Sequence, residues 1–187
     1  LFNTETLQAC KTKVLIPATK VNEFGHRMFG NFPRRDSAPD SKLRIVDVAM
    51  ASAAAPIFFP SLTPVGENRT YVDGGLWANN PCLYAILESN RYLDIKMNKM
   101  RVLSIGNGFI PLGKVSDEYN KTSLLSKMGL IPEIMFAAQA AAALEFSEDL
   151  VRRKNIYRVD VQLQTWISLD DAAKALSVLP ALAENKA

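Results

Sequence analysis

Short apolar segments typical of β-strands alternate along this chain with longer segments of helical periodicity, and this alternation restricts the fold more than any other feature. The strand segments are rich in β-branched and aliphatic residues and lie at 13–19, 69–72, 101–105 and 156–161. Helical patterns occupy 43–55, 80–92, a long stretch that ends near Arg153, and the segment after Asp171. Strands that alternate with helices are typical of an α/β domain with a largely parallel sheet, so this is the predicted class.

The composition is that of an ordinary globular domain with a mild positive charge. Its 187 residues are enough to bury a sizeable core, and 48% hydrophobic with 22% charged residues excludes a disordered chain. The net charge of +3 is too small for a concentrated basic face, so no nucleic-acid partner is predicted. A charge of this size still allows a weak, transient contact with an anionic membrane surface.

Cysteine usage and hydropathy indicate the cellular location that is expected for the protein. Cys10 and Cys82 lack metal-like spacing and are predicted to be buried thiols in a reducing compartment, and no metal or cofactor is predicted. The apolar stretch 135–144 is too short to span a bilayer. The chain begins with Leu1 and enters a strand early, which suggests a fragment. The expected location is cytoplasmic or peripheral to a membrane, and an N-terminal targeting signal is not observable.

Asp73 is the best candidate for a functional residue. It follows a strand segment directly, at the edge where open α/β sheets place their ligands. Gly74 and Gly75 come next and are expected to allow positive φ and a close approach of neighbouring backbone. A carboxylate held in this way is a plausible proton acceptor. The alternative is a tight turn in which the Asp73 side chain bonds its own backbone.

Other candidates have simpler structural explanations. His26 is the one histidine, so a Ser-His-Asp triad would have to use it, and a solvated loop histidine is favoured instead. The Gly-Asn-Gly at 106–108 is read as a turn rather than a phosphate loop. Asn79 and Asn80 could touch substrate, but helix capping accounts for Asn80, with Pro81 at the first helical position.

The segment 22–42 is predicted to be irregular or a hairpin, and it mixes aromatic and basic side chains. One interpretation is an interfacial patch against lipid, and the favoured one is a half-buried hairpin with a solvated charged face. The residues concerned are Phe24, Arg27, Met28, Phe29, Phe32, Arg34 and Arg35. The Ala-rich stretch 137–143 is predicted to serve tight helix packing.

The segment around Asp73, Asp-Gly-Gly-Leu-Trp-Ala-Asn-Asn-Pro at 73–81, closely resembles the aspartate motif of the patatin-like phospholipases. The stretch 51–60 is similar to the Ala-Ser-x-Ala-x-Pro-x-x-Phe-Pro sequence that precedes this motif in the family. The strand ending in Gly-x-Gly at 102–108, and the closing strand and helix start at 156–159 and 168–171, also resemble family landmarks. The landmarks follow the family's order and cover most of the chain.

This resemblance implies a three-layer α/β/α fold with a largely parallel central sheet, of which residues 1–187 would be the C-terminal portion of a single domain. It also implies a Ser-Asp dyad with Asp73 as catalytic base, positioned by Gly74 and Gly75. The family's Gly-x-Ser-x-Gly elbow and Gly-rich oxyanion loop are absent from the chain, so both are expected in a missing upstream segment that carries the N-terminal part of the fold.

The function implied by the resemblance is a lipid acyl hydrolase of phospholipase A or lysophospholipase type, with a phospholipid or another acyl lipid as substrate. The fragment alone is expected to be inactive because it lacks the serine. One alternative is a non-catalytic lipid-binding pseudoenzyme. Another is a different α/β enzyme that uses Asp73 for a metal or a nucleotide.

Overall fold

A computed structural model describes residues 3–34, 40–109, 124–163, 167 and 171–184. The described residues form five β-strands, namely β1 (Leu15–Lys20), β2 (Gly25–Gly30), β3 (Tyr71–Asp73), β4 (Val102–Ile105) and β5 (Ile156–Val159). They also form five α-helices, namely α1 (Ile45–Ser52), α2 (Gly75–Ala78), α3 (Cys82–Leu93), α4 (Leu124–Val151) and α5 (Ala172–Glu184). The α/β class predicted from the sequence is confirmed.

The strands of the described residues pair in two separate sheets. One has the order β2-β1-β3 and is antiparallel, and the other pairs β4 with β5 in parallel. A short turn between β1 and β2 leaves no room for a crossover and therefore forces antiparallel pairing. Between β4 and β5 the chain contains the long helix α4, which allows parallel pairing. The parallel pairing predicted from the sequence is thus found in β4 and β5.

The main core lies between the antiparallel sheet and α1. Val48 and Ala51, three residues apart on one face of α1, are fully buried against Phe29 and Tyr71 of the sheet. The Phe29 and Tyr71 rings meet edge to face with centroids 5.0 Å apart. This core fixes the position of β3, the strand that ends in Asp73.

A second core joins α3 to α4. Ile86, Met100 and Val151 are buried together there. At the start of α3, the buried thiol of Cys82 lies 3.1 Å from the hydroxyl of Ser147 in α4. Ala143, at the end of the Ala-rich stretch, is buried at this contact, as the packing interpretation predicts. Cys82 is buried as predicted, whereas Cys10 is half-buried.

The structure bears on the sequence predictions for the hairpin, for the closing family landmark and for a membrane span. The segment 22–42 contains β2, which pairs with β1 as a hairpin, so the hairpin interpretation is confirmed there. Residues 168–170, which carry most of the closing family landmark, lie outside the described residues, while Asp171 accepts a hydrogen bond from the backbone N–H of Lys174 at 3.0 Å. Among the helices that the structure describes, none combines the length and the apolar character needed to cross a membrane.

Candidate active site

The backbone of Asp73 is fixed on both sides. Its N–H donates to the carbonyl of Ala54 at 3.0 Å, on the chain that leaves α1. Its carbonyl accepts a hydrogen bond of 2.7 Å from the hydroxyl of Thr19 in β1. Asp73 therefore keeps its place even though β3 is only three residues long.

One oxygen of the Asp73 carboxylate is held by the following turn. The Gly75 N–H donates to Oδ1 at 2.6 Å, as in the tight turn that was the alternative to a catalytic role for Asp73. The side chain is half-buried, and no residue that the structure describes donates a hydrogen bond to Oδ2. The turn therefore orients the carboxylate and leaves its second oxygen available to accept a proton.

Gly74 is required by close packing. An added Cβ would lie 2.2 Å from the carbonyl oxygen of Pro17, because β1 continues alongside β3 at this point. The close approach expected from the sequence is confirmed. The expected positive φ is wrong, since Gly74 has φ −71° and Gly75 is helical. At Gly75 an added Cβ would lie 3.0 Å from Asp73 Oδ1 and would crowd the carboxylate.

Trp77 connects α2 to the sheet, a role that the sequence did not reveal. Its indole N–H donates to the carbonyl of Ala18 at 2.9 Å. Its ring contacts Tyr84 of α3 edge to face, with centroids 4.6 Å apart. The presence of a tryptophan within the aspartate motif was the available signal, but its partners are distant in sequence. The short helix that follows Asp73 is thus held against both β1 and α3.

Asn79 and Asn80 attach the motif to α4. Asn80 is 4% exposed, accepts from the Cys82 N–H at 3.3 Å and donates to the Ala140 carbonyl at 3.3 Å. Asn80 Oδ1 thus accepts from the first N–H of α3, as the capping prediction expects, but α3 begins at Cys82 and its N-cap residue is Pro81 rather than Asn80. Asn79 is exposed, and its backbone N–H donates to Gln139 Oε1 at 2.7 Å.

His26 takes no part in a triad with Asp73. It is exposed, as predicted, but it lies on β2 rather than in a loop. Strand β1 separates β2 from β3, and the His26 ring packs on Trp77 with centroids 5.2 Å apart. Its position indicates a surface contact for Trp77.

The hairpin patch is built around a buried carboxylate. Asp40 is 7% exposed, accepts from the Gly30 N–H at 2.8 Å, and pairs with Arg27 and Arg34. Burial raises the pKa of Asp40, although the Gly30 bond and both guanidinium groups act in the opposite direction. The half-buried hairpin is therefore confirmed, but the two arginines are engaged in ion pairs rather than forming a freely solvated face. Arg35 lies outside the described residues.

The Gly-Asn-Gly segment after β4 runs alongside the end of β5 and the residues that follow it, and extends their parallel pairing. The Gly106 N–H donates to the Val159 carbonyl at 2.8 Å, and the Gly108 N–H donates to Asp160 Oδ1 at 3.0 Å. Gly108 has φ 100°, a conformation that favours glycine. The turn predicted for this segment is therefore wrong, because its hydrogen bonds go to residues 159 and 160 of the neighbouring segment and not back across the segment itself.

A cavity of about 210 Å³ lies between β1, β2, α3 and β4. It is mainly apolar, and Leu15, Met28, Pro81 and Ile105 are among its lining residues. Asp73 does not line it, and it is smaller than a typical pocket for a drug-sized ligand. Among the side chains that the structure describes, no three of the His, Cys, Asp and Glu residues are grouped as metal ligands.

Comparison with known proteins shows which family the chain is similar to. The model of the patatin-like phospholipase family matches residues 1–86, which include Asp73, Gly74 and Gly75. The cGAMP-activated phospholipase of Pseudomonas aeruginosa is 36% identical over 107 residues, covering 56% of this chain and 31% of that protein. The cGAMP-activated phospholipase of Vibrio cholerae is 25% identical over 149 residues, covering 73% of this chain and 40% of that protein.

A plant protein shows the same relation. Patatin-like protein 3 of Arabidopsis thaliana is 30% identical over 140 residues, covering 64% of this chain and 31% of that protein. The matched regions span between 31% and 40% of the length of these relatives. The motif around Asp73, the mixed α/β structure and these matches agree, and they relate the chain, over residues 1–86, to the patatin-like phospholipase family.

Proposed function

We propose that the protein hydrolyses fatty-acyl esters of phospholipids or other acyl lipids, with Asp73 as the general base of a Ser-Asp dyad. The observation that carries this proposal is the Asp73 carboxylate itself. Its backbone is fixed at Ala54 and Thr19, and its Oδ1 is held by Gly75. A carboxylate oriented in this way has one oxygen left to accept a proton, as a base requires.

In the proposed reaction the carboxylate of Asp73 takes the proton of a serine hydroxyl as the serine oxygen attacks the acyl carbon. The alcohol portion of the lipid leaves with that proton, and an acyl-enzyme remains. Asp73 then takes a proton from water, whose oxygen attacks the acyl carbon, and it returns that proton to the serine oxygen as the fatty acid is released. General-base assistance of this kind is typically worth about 10² to 10⁴ in rate.

The proposal places the serine outside residues 1–187, because no serine in them lies in a Gly-x-Ser-x-Gly segment. Residues 1–187 would then be the C-terminal portion of one patatin-like domain. Gly74 and Gly75 act as positioning residues, since added side chains would meet Pro17 and the carboxylate. Relatives are named as phospholipases, which supports a lipid substrate.

The test is the substitution Asp73→Asn in the full-length protein, with hydrolysis of a phospholipid as the measurement. We expect the rate to fall at least about 100-fold, because the amide cannot act as a base. The exposed Asp149 of α4 provides a matched control, and Asp149→Asn should leave the rate unchanged. The assay is run with and without cGAMP because relatives are named as cGAMP-activated.

Fluorophosphonate labelling separates the proposal from its alternatives. A serine esterase is labelled in the full-length protein, whereas residues 1–187 alone should be neither labelled nor active. A full-length protein that binds lipid vesicles without being labelled would instead be a lipid-binding pseudoenzyme. Hydrolysis by Asp73→Asn at a near-normal rate would rule out the role of Asp73.

A further inference from the structure

The connection from α1 to β3 carries an exposed apolar turn. Ile57 is fully exposed at 101%, and Phe58 and Phe59 are exposed by 46% and 53%. The sequence from Val48 to Gly66 contains no charged residue. Single exposed apolar side chains are common, but three in succession within an uncharged segment indicate a contact surface.

The backbone conformation of the turn is unfavourable for isoleucine at position 57, so the stability of the fold does not explain this residue. The Ala55 carbonyl accepts from the Phe58 N–H at 3.2 Å, Pro56 follows Ala55, and Ile57 has φ 79°. These are the features of a type II turn, whose third position favours glycine or asparagine. A β-branched residue with positive φ is strained, and full exposure of its side chain brings no packing in return. Strain of this kind points to a function of the side chain.

The turn lies beside Asp73. Before the turn, the carbonyls of Ser52 and Ala54 accept from the N–H groups of Gly74 and Asp73, each at 3.0 Å. After it, Leu62 pairs antiparallel with Tyr71 through two backbone hydrogen bonds. Antiparallel pairing means that the residues preceding Leu62 run alongside those following Tyr71. The apolar turn is therefore fastened at the Asp73 end of β3.

Further exposed apolar side chains lie on α2, which follows Asp73 along the chain, and on the part of α4 that contacts α2. Leu76 of α2 is 39% exposed, and its carbonyl accepts from Gln139 of α4 at 3.3 Å. Met135 precedes Gln139 by one helical turn, on the same side of α4, and is 61% exposed. Exposed apolar groups thus lie on the connection that precedes β3 and on α2, which follows it.

We propose that Ile57, Phe58 and Phe59 insert into the surface of a lipid aggregate, such as a membrane or micelle, and bring that surface to Asp73. The choice of lipid over a protein partner follows from the absence of charge between Val48 and Gly66, since the rim of a protein interface is usually polar. The reason for this location rests on the proposed function, because an esterase must reach its substrate at the aggregate. The contact itself can be tested without catalysis.

The test uses Ile57→Asn in the full-length protein and sedimentation with phosphatidylcholine vesicles. Asparagine suits the turn but loses the apolar side chain, so the vesicle affinity should fall about tenfold or more. The control is Val65→Asn, because Val65 is 68% exposed in the same uncharged segment but bonds Asp47 near the start of α1. Val65→Asn should bind vesicles like the unsubstituted protein.

Activity and stability measurements complete the test. Hydrolysis of vesicle lipid should fall with binding in Ile57→Asn, while hydrolysis of a soluble short-chain ester should not change. If neither substrate is hydrolysed by the unsubstituted protein, the proposed function fails, yet the vesicle result still decides this inference. Unchanged vesicle binding in Ile57→Asn would overturn it. A lower melting temperature of Ile57→Asn would also overturn it, because it would show that another part of the protein covers Ile57.

Discussion

At the scale of single residues, the motif at 73–75 combines the carboxylate of Asp73 with two glycines whose missing side chains leave room for the Pro17 carbonyl and for the carboxylate itself. The sequence indicated Asp73 because the whole segment 73–81 resembles a family motif, and it indicated the close approach at Gly74 because glycine lacks a Cβ. It did not indicate that Pro17 would be the approaching residue or that Thr19 would hold the Asp73 carbonyl. Those partners are more than 50 positions away along the chain, and only the pairing of β1 with β3 brings them close.

The space at Gly74 gives a prediction about stability. Gly74→Ala would place a methyl group 2.2 Å from the Pro17 carbonyl oxygen, so β1 and β3 would have to separate. We expect a loss of roughly 3 kcal/mol in the free energy of unfolding of the full-length protein, measured by urea denaturation. Gly25→Ala is the control because an added Cβ there meets nothing closer than 3.8 Å. Equal effects of the two substitutions would contradict the close approach.

At the scale of elements, strongly apolar strands and long helices were predictable, and short or polar elements were not. The strand predicted at 101–105 and β4 (Val102–Ile105) agree within one residue, because a run of aliphatic residues before Gly106 permits little else. Strand β2 was predicted only as irregular or hairpin, since its sequence Gly-His-Arg-Met-Phe-Gly lacks a clear alternation. Helix α2 has four residues, too few for a helical period, and it forms because Trp77 bonds β1.

The contact between α3 and α4 gives a second stability prediction, in which two adjacent asparagines should behave differently. Asn80→Ala leaves a buried N–H of Cys82 and a carbonyl of Ala140 without their partner, so we expect a loss of roughly 2 kcal/mol. Asn79→Ala should cost less than about 1 kcal/mol, because Asn79 is exposed and its side-chain bond to Phe136 is 3.4 Å long. Urea denaturation of both variants in the full-length protein checks this, and similar losses would contradict the proposed difference.

At the scale of the whole molecule, the described residues form two sheets linked through α3 and α4 rather than one continuous sheet. Strand–helix alternation predicted the class, but it does not specify which strands are neighbours. That order depends on contacts between distant segments, such as Val102 with Ile156. The loop between α1 and β3 shows the same limit, because its uncharged sequence was visible while the strain at Ile57 required the backbone conformation.

The ion pairs of the molecule predict its response to acid. Hydrogen bonds from Arg44 lower the pKa of Asp47, and those from Arg69 and Lys20 lower the pKa of Glu23 to about 2. Their stabilisation is therefore present above the unfolded-state values of about 4 and is lost as the pH falls through the folded-state values. We expect the urea midpoint of the full-length protein to fall between about pH 5 and about pH 2.

The variant Asp47→Asn distinguishes the contribution of Asp47 to this acid response from the contribution of Glu23. The variant removes the carboxylate that binds Arg44 and the Val65 N–H, so its stability at neutral pH should be lower, by about 1 kcal/mol because Arg44 is partly exposed. The variant should then lose less additional stability on acidification. An acid response identical to that of the unsubstituted protein would show that Asp47 does not contribute to it.

The double attachment of the apolar turn to β3 has a geometric consequence. Before the turn, Ser52 and Ala54 bond Gly74 and Asp73 at the end of β3, and after it Leu62 bonds Tyr71 at the start of β3, so we expect the turn and Asp73 to move as one body. With Ile57 inserted in a lipid surface, the height of the carboxylate above that surface would be set by the protein and not by the substrate. The ester that is cleaved would then be selected by its depth below the headgroups. The acyl position that the enzyme prefers would depend on this depth as well as on chemical recognition of the lipid.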